Sequence, residues 1–148
     1  MAPTEEEMID RLLRGHEAFS NGDYDTAIEL MHPDIEFATF GEPSPVKGVE
    51  ALRAWMEPDA FESQRIEPLR WKLKGNTALV WQHVSARGAG SGIELDTHSW
   101  SVWTFDDEGR PTRLESFPDH MKAEALAAAG LSEEEWPPEA EGGRPPGA

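Results

Sequence analysis

A chain of 148 residues fits one domain around one core, with no room for a second. Its 13 Lys and Arg against 29 Asp and Glu leave a formal net charge of −16, which repels phosphate backbones and anionic lipid surfaces, so no nucleic acid and no membrane is expected as a partner. The absence of cysteine excludes disulfides, thiol nucleophiles and thiolate metal sites.

The opening segment MAPTEEEMID is acidic where a secretory leader needs a basic start and an apolar run, so the expectation is a soluble, cytoplasmic protein. Thr4 and Glu7 form an S/T-x-x-E capping box, and Met8, Leu12, His16 and Phe19 recur at helical spacing, which predicts a helix over about residues 5 to 20. Asn21-Gly22 ends it. Asp23 opens a second helix with Tyr24, Ala27, Ile28 and Met31 on one face, closed by Pro33. In DIEFATF, Ile35, Phe37 and Thr39 alternate with polar or small neighbours as a short strand; GEPSPVKG is a loop, and Val49, Leu52, Trp55 and Met56 mark a third helix before Pro58. Strands follow at roughly 64 to 74, 77 to 87, 93 to 105 and 110 to 117, and a last helix runs from near Pro118 to Gly130. Helices first and sheet afterwards means α+β. Residues 1 to 131 read as one domain, and 132 to 148, rich in Pro, Gly and Glu, as a disordered acidic tail despite Trp136.

The strands at 77 to 87 and 93 to 105, joined by a Gly-rich turn, must pair antiparallel, and residue chemistry selects their register. One register sets Arg87 opposite Glu94, His83 opposite His98, Trp81 opposite Trp100 and Leu79 opposite Val102. The other face then carries Ala86, Val84, Gln82, Val80 and Ala78 against Leu95, Thr97, Ser99, Ser101 and Trp103, small and mildly polar under one large ring. Such a face leaves a hollow for a helix or a ligand.

Four stretches, NGDYDTAIELMHPDIEF, VKGVEALRAWM, WSVWTFDDEGRPTRLESF and AEALAAAGL, in this order and spacing, resemble the SnoaL-like branch of the nuclear-transport-factor-2-like superfamily over residues 5 to 131. That superfamily includes ketosteroid isomerases, limonene epoxide hydrolases and polyketide cyclases. The resemblance implies a cone: a strongly bent mixed sheet wrapped around the N-terminal helices, a short C-terminal helix, an apolar pocket, and dimers through the outer sheet face. The ketosteroid isomerase positions for the aspartate base and the two oxyanion donors are occupied here by Thr39, Gly15 and Ser101, none of which ionises near neutral pH. The position of an epoxide hydrolase aspartate matches Ser116, and the strand at 77 to 87 holds no Arg-x-Asp. Isomerase and epoxide hydrolase chemistry of those kinds is therefore not expected. The resemblance to the cyclases, which use an aspartate late in the chain, points to Asp119.

His16, on the apolar stripe of the first helix, is a general base or polar anchor inside the cone, or else a hydrogen-bonded core histidine. Asp119 is an acid/base group, or else a helix N-terminal partner of the dipole. Strand parity and helix stripes together bound the pocket with Phe19, Phe37, Thr39, Trp55, Gln82, Ser99, Ser101, Trp103 and Ser116. No metal and no cofactor is expected: His83, His98 and Asp96 lack a third imidazole or thiolate. Two functions follow. One is a pocket binding a small, mostly apolar, oxygen-bearing molecule without isomerase or epoxide hydrolase chemistry; the other is an acid/base enzyme, polyketide cyclase-like or isomerase/hydrolase-like, using His16 or Asp119. On the outer face Trp81, His83, His98 and Trp100 form an aromatic patch, expected to be buried in a homodimer.

Overall fold

A computed structural model describes residues 4–39, 46–56 and 61–136. Its elements run α1 (Glu5–Ser20), α2 (Tyr24–Glu29), β1 (Glu36–Thr39), β2 (Val46–Lys47), α3 (Val49–Met56), β3 (Phe61–Lys74), β4 (Thr77–Gly88), β5 (Glu94–Phe105), β6 (Pro111–Pro118), a 3-10 turn (Asp119–Met121) and α4 (Lys122–Ala129). The capping box forms as read: the Thr4 side chain accepts the Glu7 amide at 3.1 Å. Gly130 ends α4 in the left-handed region at φ 73°, a conformation other residues rarely adopt.

Six strands make one strongly bent mixed sheet in the order β2-β1-β6-β5-β4-β3, with β1 parallel to β6 and the remaining pairs antiparallel. Only β2, within the stretch read as loop, was not expected. The β4–β5 register is the one that charge and ring pairing selected, with Arg87 opposite Glu94, His83 opposite His98 and Trp81 opposite Trp100. β3 begins a little earlier than expected and holds Pro68 beside a register shift between Pro68 and Arg70. An edge strand tolerates that residue, because the missing N–H is lost on the irregular side of the ladder.

The two sheet faces carry separate cores. On the inner face, Leu12 and Phe19 of α1 pack with Ile35, Phe37, Leu52, Val80, Trp103 and Leu114. On the outer face, Leu79, Trp100 and Val102 lie beneath Ala125, Leu126 and Ala129 of α4, together with Leu131 and Trp136. Small alanines let the helix lie close over the large indole, so the mismatch in side-chain size is taken up by the short distance.

This second core corrects one expectation, the disordered tail, and covers part of the face read as a dimer contact. Trp136 is only 5% exposed, meets Trp100 edge-on at 5.5 Å, and is flanked by a Glu135–Lys74 ion pair of 3.0 Å. The acidic segment is thus docked through residue 136, because one large indole contributes apolar burial that average composition conceals; the rest of the expected tail lies outside the described residues. The aromatic patch assigned to a homodimer is also not left open. Trp100 is 4% exposed and covered by the chain's own C-terminal elements, so that only Trp81, His83 and His98 stay half-buried at its margin. No helix among the described residues is long and apolar enough to cross a membrane.

Candidate functional site

Between α1 and the inner sheet face the side chains leave a cavity of about 260 Å³. It arises from strand chemistry. Where β4 and β5 present Gln82, Ser99 and Ser101 instead of branched aliphatics, the space opposite α1 is not filled. α1 contributes Gly15 to the wall, at the position that the family resemblance assigns to the oxyanion tyrosine of isomerases. A Cβ placed on Gly15 would meet only Leu30 Cδ1, at 3.9 Å.

The polar wall is one directed hydrogen-bond chain. The indole N–H of Trp103 donates to Ser101 Oγ at 2.9 Å, the Ser101 hydroxyl donates to Gln82 Oε1 at 3.0 Å, and Gln82 Nε2 donates to Ser99 Oγ at 3.1 Å. Ser101 and Gln82 are buried at 2% and 5% exposure, so each of these bonds offsets a desolvation that would otherwise cost about 1–3 kcal/mol. Among the described residues no buried side-chain nitrogen or oxygen lacks a partner. Ser99 Oγ accepts at the end of the chain and keeps its own hydroxyl hydrogen to donate.

His16 stands beside this wall, buried, with its ring edge-on to Trp103 at 5.4 Å. Its Nδ1 lies 2.8 Å from the Leu12 carbonyl. A carbonyl only accepts, so Nδ1 carries the hydrogen and, in the neutral ring, Nε2 is the unprotonated nitrogen. Burial holds the His16 pKa below the ordinary imidazole value, against opposing contributions from the Leu12 carbonyl and Gln82. The ring is neutral at pH 7. Among the described residues no Asp or Glu lines the cavity, and Arg11 is the one lining residue that carries a formal charge.

Of the residues expected to bound the pocket, Phe19, Gln82, Ser99, Ser101, Trp103 and Ser116 line it, and His16 joins them. Phe37 does not. At 5% exposure it is packed into the inner core cluster with Leu12, Phe19 and Leu114. The side chains of Thr39 and Trp55 lie outside the described part of the structure. Asp119 is on the opposite face of the sheet: its Oδ1 accepts the Trp81 indole N–H at 3.2 Å, and its backbone carbonyl accepts that of Trp100 at 3.0 Å. It holds the start of the C-terminal elements against the outer face and shares no cavity with His16. The strand parity of Pro118 and the following turn carry the chain outward there.

Sequence reasoning missed Arg11, Gly15, Met56, Gln64 and Ile66 as wall residues. For α1 a signal existed: Arg11, Gly15 and Phe19 recur every four residues along a line beside the apolar stripe. An open, more polar groove adjoins the cavity and shares Gln64, Ser85, Ala86 and Leu95 with it; its arginines, Arg65 and Arg87, each have a carboxylate within 4 Å, from Glu67 and Glu62.

Residues 12–114 match a family model described as a SnoaL-like domain. No curated protein sequence matches the chain. Among solved structures, it is similar to a putative SnoaL-like polyketide cyclase from Jannaschia sp. CCS1, with a TM-score of 0.70, 19% identity, and coverage of 89% of this chain and 98% of that one. The epoxide hydrolase/cyclase-like enzyme SalBIII, associated with pyran ring formation in the polyether salinomycin, is similar at a TM-score of 0.70 and 16% identity, over 77% of this chain and 92% of that one. TerC, crystallised with polyporic acid, is similar at a TM-score of 0.65 and 20% identity, over 82% of this chain and 98% of that one. At such identities the likeness is one of fold, and chemistry has to be argued from the site.

Proposed function

The chain belongs to the SnoaL-like domain family, and from that premise we propose that its cone binds one small, mostly apolar molecule bearing a carbonyl or hydroxyl oxygen. The observation that carries this reading is the one-sided polarity of the cavity. Aliphatic and aromatic groups from α1, α3 and β3 face a wall where Ser99, Gln82 and His16 present a hydroxyl donor, an amide and a ring acceptor. Such a wall orients a single oxygen function while the rest of the ligand replaces apolar void. Among the described residues the epoxide hydrolase-like and isomerase-like carboxylates are absent from the lining, which favours binding over those two chemistries.

A panel of neutral aromatic ketones and alcohols, scored by thermal unfolding, tests the proposal. A ligand at a hundredfold excess over its Kd is expected to raise Tm by about 5–10 °C. Gly15→Leu, whose side chain extends into the cavity from a position with room for a Cβ, is expected to stay folded and lose the shift. A Gly15→Leu chain that responds as the wild type does refutes the reading, and so does the absence of any stabilising ligand among neutral and carboxylate-bearing aromatics alike.

One observation favours a second reading, an acid/base enzyme of polyketide cyclase-like type with His16 as its base. His16 lines the cavity with a ring anchored through Nδ1, and Nε2 is the unprotonated nitrogen of its neutral form. In this reading Nε2 takes a proton from a carbon next to the ligand's carbonyl, and Asp119 has no part. Exchange of such protons with deuterated solvent, lost in His16→Gln, is its signature.

A further inference from the structure

Among the described residues Arg11 introduces the only formal charge on the cavity lining, in a chain whose net charge is −16. With 29 acidic residues against 13 basic ones, carboxylates are abundant, and other arginines take them: Arg14 pairs with Asp10, Arg53 with Asp25, and Arg110 with Asp106 and Glu108. Arg11 does not. Its guanidinium is part-buried and makes one hydrogen bond, from Nη1 to the Leu30 carbonyl at 3.2 Å, with no ion pair to a described residue.

That bond has two effects. It ties the side chain to the end of α2, where a cation meets orphan carbonyls favourably, and so fixes the guanidinium in place. It also occupies only the Nη1 corner. The edge formed by Nε and Nη2, whose two parallel N–H groups match the two oxygens of a carboxylate, is left available. The rest of the lining is neutral: serines, glutamines, a neutral His16 and apolar side chains. A guanidinium at the wall of a largely apolar space, with a fixed position and a vacant bidentate edge, is suited to an anion that arrives with an apolar body.

We infer that the ligand of this cavity is an organic acid, an apolar ring system bearing a carboxylate that the Nε–Nη2 edge of Arg11 receives. The inference rests on the cavity being a binding site, as proposed above, and adds the charge class of what binds. It also gives the negative protein a selective element. The overall field disfavours anions at the surface, and Arg11 is a local exception placed where an apolar body must enter to reach it. Arg65 and Arg87 in the adjoining groove compete poorly for the same acid, since each has a carboxylate beside it already.

Matched pairs of probes separate the charge from the apolar body: benzoate, 2-naphthoate and anthracene-2-carboxylate, each beside its primary amide, titrated calorimetrically at pH 7. The amide keeps the shape but removes the charge and replaces one acceptor oxygen with an NH2 donor. At least one acid is expected to bind the full-length wild type about tenfold or more tighter than its amide. Arg11→Met is expected to abolish that preference while leaving amide affinity within about twofold, and Arg11→Lys to retain part of it, since the charge remains without the bidentate edge. Thermal unfolding of each variant confirms a folded chain. Amides that bind as tightly as their acids overturn the assignment of Arg11 and leave the binding site standing. An acid preference that survives Arg11→Met overturns it too, and moves the charge recognition elsewhere. Should neither member of any pair bind, nor any neutral ketone of the earlier panel, the cavity reading and this inference fall together.

Discussion

The two faces of the β4–β5 hairpin are built from alternate residues of the same strands, yet one is closed by the chain itself and the other encloses a void. Outside, Leu79, Trp100 and Val102 meet an alanine-rich helix and the Trp136 indole, and large groups are matched by small ones until no space remains. Inside, Gln82, Ser99 and Ser101 meet α1 at a glycine, and small groups facing the missing side chain leave about 260 Å³. Aromatic content does not distinguish these faces, as Trp100 and Trp103 are both buried. The difference lies in complementarity: a face is structural where the volumes across it compensate, and is available to a ligand where both sides are small.

If the outer face is closed by volume matching, its largest single contributor breaks the contrast most. Trp136→Ala is expected to cost about 3 kcal/mol in urea unfolding, as for a large aromatic truncated in a core, and to uncover Trp100 to quenchers without changing ligand affinity in the cavity. A loss below about 0.5 kcal/mol would mean that the segment after Leu131 contributes little to the core. The inner face responds differently. Ser101→Ala removes one hydroxyl and little volume, but strands the Trp103 N–H and Gln82 Oε1, for an expected loss of about 2 kcal/mol by the same measurement and weaker binding of oxygen-bearing ligands. A neutral outcome would show that the hydroxyl chain is dispensable and the wall merely small.

The smallest effect sharpens the comparison by pH. Burial lowers the pKa of His16, so below the ordinary value of 6.5 the unfolded chain takes up a proton that the folded ring resists. The stability associated with its neutral form is therefore complete above that pH and declines as the pH falls through the window below it, by at most about 1.4 kcal/mol per unit. Carboxylates contribute to the same slope in wild type and variant alike. The wild type minus His16→Gln difference isolates the histidine, and it is expected to move against the wild type between pH 7 and 5. A difference that stays flat across that range would place the ring in a more solvated site than the inner face provides.

Much of this contrast was legible in the sequence. The hairpin register followed from pairs that had to meet across it, Arg87 with Glu94 and Trp81 with Trp100, and parity then assigned Gln82, Ser99, Ser101 and Trp103 to the pocket side. The helical stripe of α1 placed Phe19 and His16 there as well. What local pattern did not carry was which neighbours remote in sequence meet. Asp119 looked chemical because of its position late in the chain, and became a clasp for Trp81 and Trp100 once the turn carried it outward. The outer aromatic patch looked like a surface awaiting a second copy, because nothing local in the stretch around Trp136 announces that it folds back over Trp100.

Sequence alone determined the order of the main helices and strands, the β4–β5 register and the face on which the side chains of that hairpin lie, because these depend on period, capping and pairwise chemistry between residues that the chain brings together locally. Only the tertiary structure decided where volume is missing and what covers the rest. A cavity is the small remainder after every element has been packed, so Gly15, Arg11 and the serines of β5 acquire their meaning from one another across the fold, and Trp136 from a strand more than thirty residues away.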